Sequence, residues 1–290
     1  MSRTHVEVVI PALGAQQAVD QAVASALRQG FVRRVILVDD GSDPPLTALA
    51  DRVCLIRQAN AGPGAARNRG LEVTSADLVL LLDADDTLLP GAADAIELLG
   101  RLNAAAVVSG WIEAPPGIAH EQGRRRHPPA EWVGHLLPRR ADVFRPLHLF
   151  KGSGILLHRR VVDAGVRFDE ALRVGEDREF LYRVSQVGGI GVCDAAAVGY
   201  TLHGETGDNL SSPRRFDRRV HDFATIVRRH HDQDTDANFR AAATWLVNQL
   251  ARRGASGSTW DVMMEVCREF GWRPPLKARV RRWTRRSHDA

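Results

Sequence analysis

Long apolar runs are missing from this 290-residue chain: no stretch of eighteen or more apolar residues occurs, so no segment reads as a membrane span. The opening run MSRTHVEVVIP enters a strand-like segment without the apolar core of a signal peptide, and a cytoplasmic protein is expected. Cysteine is scarce. Cys54, Cys193 and Cys267 are odd in number and far apart, which argues against a disulfide framework or a cysteine-based zinc site and leaves buried apolar side chains. There is no internal repeat. No known nucleic-acid motif accompanies the basic segments or Trp272 and Trp283, so nucleic acid is not an expected partner.

What is present is the composition of an ordinary globular protein, 44% hydrophobic and 26% charged, long enough for one large α/β domain or a domain with an appendage. The net charge is only +4, but the positive charge is clumped in GRRRHPP (123–129), PRR (138–140) and RPPLKARVRRWTRRSHD (273–289). Such clumps form a solvated face, or they attract an anionic phosphorylated substrate or lipid surface. Arginine mixed with tryptophan near a terminus also suits an interfacial helix. Peripheral contact at the inner face of a membrane is therefore an open alternative to a purely cytoplasmic location.

Along the chain, VEVVIPAL (6–13), VILVDDGSD (35–43), VCLIRQ (53–58) and DLVLLLDADD (77–86) read as buried strands. Residues 14–29, with Val19, Val23 and Leu27 on one stripe, and 60–76, with Pro63 in a first helical turn, read as the helices between them. This alternation predicts a parallel sheet covered on both faces. A helix near 91–102, a strand over 105–113 and a mobile loop over the Pro/Gly/Arg-rich 114–130 follow. Then come a strand and helix over 149–170, and a helix over 175–189 with Phe180, Leu181 and Val184 inward. A strand over 190–203 precedes helical sequence beyond 215.

In such sheets ligands bind beyond the carboxyl ends of the strands, where Pro11, Asp39–Asp40 and Asp83–Asp86 fall. The acids in LVLLLDADDTLLP (78–90) pose the sharpest question. Crowded carboxylates repel, and burying one costs several kcal/mol or so without a cation or hydrogen bonds. Either they shape a turn, Asp being a common turn and N-cap residue, or they hold a divalent metal.

Six segments in order, VVIPA, VDDGSD, NAGPGAARNRG, LLDADDTLLP, FDE with GEDREF, and YTLH, resemble a family 2 glycosyltransferase of the GT-A fold over about residues 5–210. The resemblance implies an α/β GT-A fold: a Rossmann-like, mostly parallel sheet flanked by helices. It places the catalytic domain at 1–212; the sequence beyond, 213–290, matches no familiar module and reads from its amphipathic segments as a helical C-terminal region with a basic tail. It further implies inverting, metal-dependent transfer from a nucleotide diphosphate sugar, a UDP-sugar being favoured, to a hydroxyl acceptor that is a carbohydrate, a lipid-linked molecule or a small molecule. Leaving-group charge on a diphosphate calls for a hard divalent cation, Mg²⁺ or Mn²⁺, with oxygen ligands.

By the same resemblance, Asp85 is the direct metal ligand of the Asp83-Ala84-Asp85 motif. Asp83 and Ala84 face the donor or metal, and His203 contributes to the metal or diphosphate. Asp86 is left to cap the next helix. Asp39 and Asp40 recognise the base, Pro11 and Ala12 contact the nucleotide through backbone, and Asn60, Gly62 and Arg67 line the donor site. Gly154 of KGSG lines the sugar and acceptor pocket, and Glu176 precedes Asp177, the general base. An acid at a helix start is expected to stay ionised at neutral pH. Where relatives often carry a Thr-Tyr-Asn-like run after the first proline, this chain has PALGAQ, which removes an aromatic and leaves the base open. Two other classes stay in view: a nucleotidyltransferase acting on a sugar phosphate, and a non-catalytic nucleotide-sugar-binding relative.

Overall fold

The computed structural model describes residues 5–48, 50–145, 151–202, 216–253 and 257–274. They form two units. Described residues within 1–140, 148–172 and 176–204 make one; those within 141–147, 173–175 and 205–290 make the other.

The first unit is built on β1 (Val6–Ala12), a β-branched run buried along nearly its whole length. It pairs in parallel with β2 (Val32–Asp39), which pairs in parallel with β3 (Val53–Arg57). On its other side β1 pairs in parallel with β4 (Leu78–Leu81), whose four residues are all buried. These apolar strands are covered by α1 (Gln16–Leu27), with Val19, Ala22 and Ala26 inward, and α2 (Pro63–Val73). The α2 helix lies close on β1 at Gly70, where a Cβ would stand 2.2 Å from Val9 Cγ1.

Beyond β4 the sheet becomes mixed. The short β5 (Thr87–Leu88) is followed by α3 (Ala92–Leu102), which buries Ala92, Ala95, Leu98 and Leu99 and ends on left-handed Asn103. Strand β6 (Ala106–Ala114), β7 (Arg124–Arg126) and β8 (Ile155–His158) precede α4 (Arg159–Asp163), α5 (Glu176–Val187) and β9 (Ile190–Thr201). The sheet order is β3-β2-β1-β4-β8-β6-β9-β5, with β7 paired to β6. The β6–β9 pair is parallel; β4–β8, β6–β8, β6–β7 and β5–β9 are antiparallel.

Two local expectations change. The arginine-rich stretch within 114–130 is not simply a loop, because β7 aligns Arg126 opposite Trp111 and its Nε donates to Glu113 Oε2 at 2.7 Å. Asp86 does not cap α3, whose N-cap position is Gly91 without a side-chain cap. Phe180, Leu181 and Val184 point inward as expected.

One polar side chain interrupts the apolar run of β1. Glu7 is fully buried and accepts from Arg34 Nε at 2.7 Å and from the N–H groups of Ser75 at 2.6 Å and Ala76 at 3.2 Å. Burial pushes this carboxyl up, but the donors outweigh it and hold it below its ordinary value. Glu7→Ala strands those N–H groups and should cost about 2–4 kcal/mol in urea unfolding at neutral pH. The carboxylate's contribution is present above the ordinary carboxylate range and is lost as pH falls through the depressed folded value. The mutant deficit should therefore shrink in acid.

The second unit contains α6 (Phe216–His230), α7 (Asp236–Arg253) and α8 (Gly257–Glu269) around Phe144, Phe223 and Phe239. Asn238 Nδ2 donates to Ala141 O at 2.7 Å, which ties in the short segment ahead of it. His231 is half-buried, with Nε2 3.0 Å from Asp236 Oδ1. No helix among the described residues is long and apolar enough to cross a membrane. Most of the basic 273–289 segment lies outside the described residues.

Candidate functional site

A crevice starts where β1 loses one neighbour. Pairing with β4 stops at Val9 opposite Leu81, while pairing with β2 runs on to Ala12 opposite Asp39. Pro11 lies past that point, so its missing N–H removes no ladder bond on the β4 side. The strand order reverses between β1 and β4, which is where open α/β sheets bind ligands.

Asp39 and Asp40, both buried, are braces for the loops around this crevice. Asp39 accepts from the N–H of Ser42 at 2.8 Å and of Leu46 at 3.1 Å, with Arg57 Nη1 at 3.5 Å. Burial pushes its carboxyl up, yet these partners hold it below the ordinary value. Asp40 accepts from Gln58 Nε2 at 2.8 Å and from the N–H groups of Ala61 at 2.9 Å and Gly62 at 2.8 Å. Two N–H groups just ahead of α2 are therefore already used. Gly62 caps α2 at φ 96°, and exposed Asn60 adjoins Gly41, whose Cβ would lie 2.8 Å from Asn60 N. The segments VDDGSD and NAGPG thus form one rim.

The acids after β4 differ sharply in setting. Asp83 is half-buried, Asp85 exposed and Asp86 buried, with Ala84 packed toward the core. Asp86 Oδ1 accepts from Thr201 N–H at 3.0 Å, while Oδ2 is buried without a hydrogen-bond partner among the described residues. Burial, then the charges of Asp83 and Asp85, push the Asp86 carboxyl well above its usual range. Thr201 Oγ1 donates to Asp85 O at 2.5 Å, fixing the backbone of the turn.

Buried Arg67 on α2 reaches two of the sequence-predicted acids at once. Its Nη2 donates to Asp83 Oδ1 at 2.7 Å and its Nη1 to Glu176 Oε1 at 3.2 Å. Glu176 and Asp177 open α5, and Asp177 Oδ1 accepts from the Arg178 N–H at 2.8 Å. The helix start does not act alone on these acids. Burial and then the charge of Asp177 push Glu176 up to about 7 despite Arg67, and burial raises Asp177 despite Arg178. Desolvation outweighs the helix terminus here.

Gly154, at φ 83°, follows Ser153, whose Oγ accepts from the Asp83 N–H at 3.1 Å. It lines a cavity with Trp111, Lys151, Ser153 and Tyr200. Lys151 Nζ lies 3.2 Å from the Tyr200 ring centroid, 4.7 Å from that of Trp111, and 3.5 Å from Glu113 Oε1. Sequence reasoning had not singled out Trp111, Glu113, Lys151 or Tyr200. The spacing of Trp111 and Glu113 on one face of β6 was the available signal. His203 lies outside the described residues.

Among the described residues, no group of three or more His, Cys, Asp or Glu side chains is arranged to hold a metal ion. A hard cation that keeps waters needs only one or two carboxylates, with substrate phosphates completing its shell. The oxygen-only set of Asp83 and Asp85, beside the orphaned carboxylate oxygen of Asp86, fits Mg²⁺ or Mn²⁺ on those terms.

Comparison with known proteins gives the family and the fold. The succinoglycan biosynthesis protein ExoO of Rhizobium meliloti is 29% identical, over 97% of this chain and 89% of that one. ExoU of the same organism is 28% identical over 62% of this chain, which spans only 56% of that relative's length. The structure of Staphylococcus aureus TarS 1–349 in complex with UDP-GlcNAc superposes with a TM-score of 0.66 at 16% identity, covering 92% of this chain and 80% of that chain. At that identity the likeness shows the fold, which is of GT-A type. Residues 7–165, more than half of the chain, match the family model for glycosyl transferase family 2, and the chain belongs to that family as a glycosyltransferase.

Proposed function

We propose that the protein transfers a sugar from a nucleotide diphosphate sugar, a UDP-sugar being favoured, to a hydroxyl acceptor, with inversion and with a divalent metal. The observation that carries this is the meeting of Asp83, from the β4 turn, and Glu176, beside Asp177 on α5, on one buried guanidinium. It joins a donor-side acidic motif to a candidate base. TarS structures named with UDP-GlcNAc and with UDP support a nucleotide-sugar donor. The names of ExoO and ExoU, both succinoglycan biosynthesis proteins, support a carbohydrate acceptor.

Asp85 and Asp83 would hold the metal, with His203 as a further contributor. When bound, Mg²⁺ or Mn²⁺ would neutralise charge on the diphosphate leaving group. The rim formed by Pro11, Ala12, Asp39, Asp40, Asn60 and Gly62 receives the nucleotide, its two carboxylates combining loop bracing with base contact. Asp177 takes the acceptor hydroxyl's proton as that oxygen attacks opposite the diphosphate, in a single displacement. Its raised affinity for protons suits the role of a general base. Residues 1–212 serve as the catalytic domain, and the helical 213–290 region with its basic tail allows peripheral membrane contact from the cytoplasm.

A thermal-shift panel of UDP, GDP, TDP and CDP, each with and without Mn²⁺, tests the donor site. A ligand at a hundred times its dissociation constant adds about 2.7 kcal/mol of stability. A Mn²⁺-dependent rise with UDP is expected. No rise with any nucleotide would remove the basis of this proposal.

A further inference from the structure

We propose that Arg67 is a positioning residue that locks the general-base helix to the donor-side turn, rather than a contact to the nucleotide; this rests on the transferase function proposed above. The guanidinium is buried, and its two terminal nitrogens are engaged by acids from different segments: Asp83 at 2.7 Å and Glu176 at 3.2 Å. Its remaining Nε is buried and closed to solvent. A face of the fork lies on Phe168, 5.3 Å from the ring centroid, and Phe168 stacks on Phe180 of α5 at 3.9 Å with 8° between planes. The same cation thus touches the acid that opens α5 and an aromatic pair that anchors its second turn.

The neighbouring residue does matching work. Asn68 Nδ2 donates to Phe168 O at 3.0 Å and to Glu170 Oε1 at 2.9 Å, while its Oδ1 accepts from Phe168 N–H at 2.7 Å. Arg67 and Asn68 together staple the segment leading into α5 onto α2. Space for the fork comes from Gly152, where a Cβ would lie 2.5 Å from Arg67 Nη2. A lysine ammonium is a point charge on a flexible stem and cannot span two carboxylates with a rigid planar fork. Displacing a reacting group by about 1 Å can cost on the order of 10²-fold in rate. The charge between Asp83 and Glu176 therefore fixes where Asp177 stands relative to the donor, without entering the reaction.

The test uses the full chain with Arg67→Lys, which keeps the charge, and Gly152→Ala, which crowds the fork and alters no charge. UDP affinity in Mn²⁺, donor KM and kcat per folded molecule are measured for each. The expected result is kcat lower by about 10–100-fold, with UDP affinity and donor KM within about threefold of wild type. A loss of UDP affinity of about tenfold or more in both variants would make Arg67 a donor contact and overturn the proposal. So would kcat within about twofold of wild type alongside a lowered melting temperature, the mark of a purely structural residue. Should Arg67→Lys fail to fold, Gly152→Ala decides on the same criteria. Wild-type transfer and UDP binding, run in parallel, report separately on the parent function; their absence there would overturn both.

Discussion

Asp177→Asn should lower the rate of sugar transfer by about 10²–10⁴-fold, the usual contribution of a positioned general base, while UDP binding in Mn²⁺ stays close to wild type. The substitution is close to isosteric. Asp177 Oδ1 accepts the Arg178 N–H at 2.8 Å, and the asparagine oxygen can keep that bond, so the start of α5 should hold its place. What disappears is the capacity to take a proton. In the folded chain burial raises this carboxyl, and beside it Glu176 is pushed up to about 7. A base must be ionised, so wild-type kcat should fall as pH drops, and should begin to do so at a higher pH than an ordinary aspartate would give. The linkage runs the other way for stability: acids whose folded values are raised bind extra protons in the native state, so their charged forms destabilise it as pH rises. Asp177→Asn should therefore melt no lower than wild type, and higher at alkaline pH. An inactive variant that also lost UDP binding would point to a collapsed site; an active one would remove Asp177 from the base position.

How much of this was legible beforehand depended on the kind of signal. The strands β1 and β2 announce themselves as β-branched runs and β4 as a leucine-rich apolar run, with Pro11, Asp39–Asp40 and Asp83 at or just beyond their carboxyl ends, and α3 by its spaced alanines and leucines. Ordered motifs were enough to place the acids at one edge. The two-residue β5 could not be read, because no periodicity exists over Thr87–Leu88; its partner β9 holds it. Strand β7 was hidden for a different reason. Three consecutive arginines resemble a solvated loop until Glu113 and Trp111 on β6 supply partners across the sheet. Pairwise chemistry was hidden in the same way: nothing local to AARNRG shows that Arg67 will be buried between Asp83 and Glu176. The raised Glu176 and Asp177 likewise follow from packing, since a helix start by itself argues for the opposite direction. Sequence therefore located the acids, and tertiary burial set their individual character.

That division makes the three acids of the β4 turn separable by experiment. Asp85→Asn should abolish the Mn²⁺-dependent part of UDP binding and lower transfer by about 10²–10⁴-fold, in line with the several kcal/mol a metal supplies to a charged leaving group. Asp85 carries the effect because it is the exposed member, able to face a cation that also holds waters and phosphate oxygens. Asp86→Asn is the contrast. Its Oδ1 accepts the Thr201 N–H at 3.0 Å, a bond an asparagine oxygen can keep, and its buried side chain stands against the charges of Asp83 and Asp85. Replacing it removes a repelled group and should leave Mn²⁺-dependent UDP binding in place. Asp83 is tied to Arg67 at 2.7 Å, so Asp83→Asn disturbs the base helix as well as the donor and cannot separate the two roles. Titrating Mn²⁺ into each variant, with bound ion followed by electron paramagnetic resonance, reads the assignment directly. If Asp86→Asn loses the ion and Asp85→Asn keeps it, the ligand is the buried carboxylate whose second oxygen otherwise has no partner among the described residues, and the exposed acid is a turn residue after all.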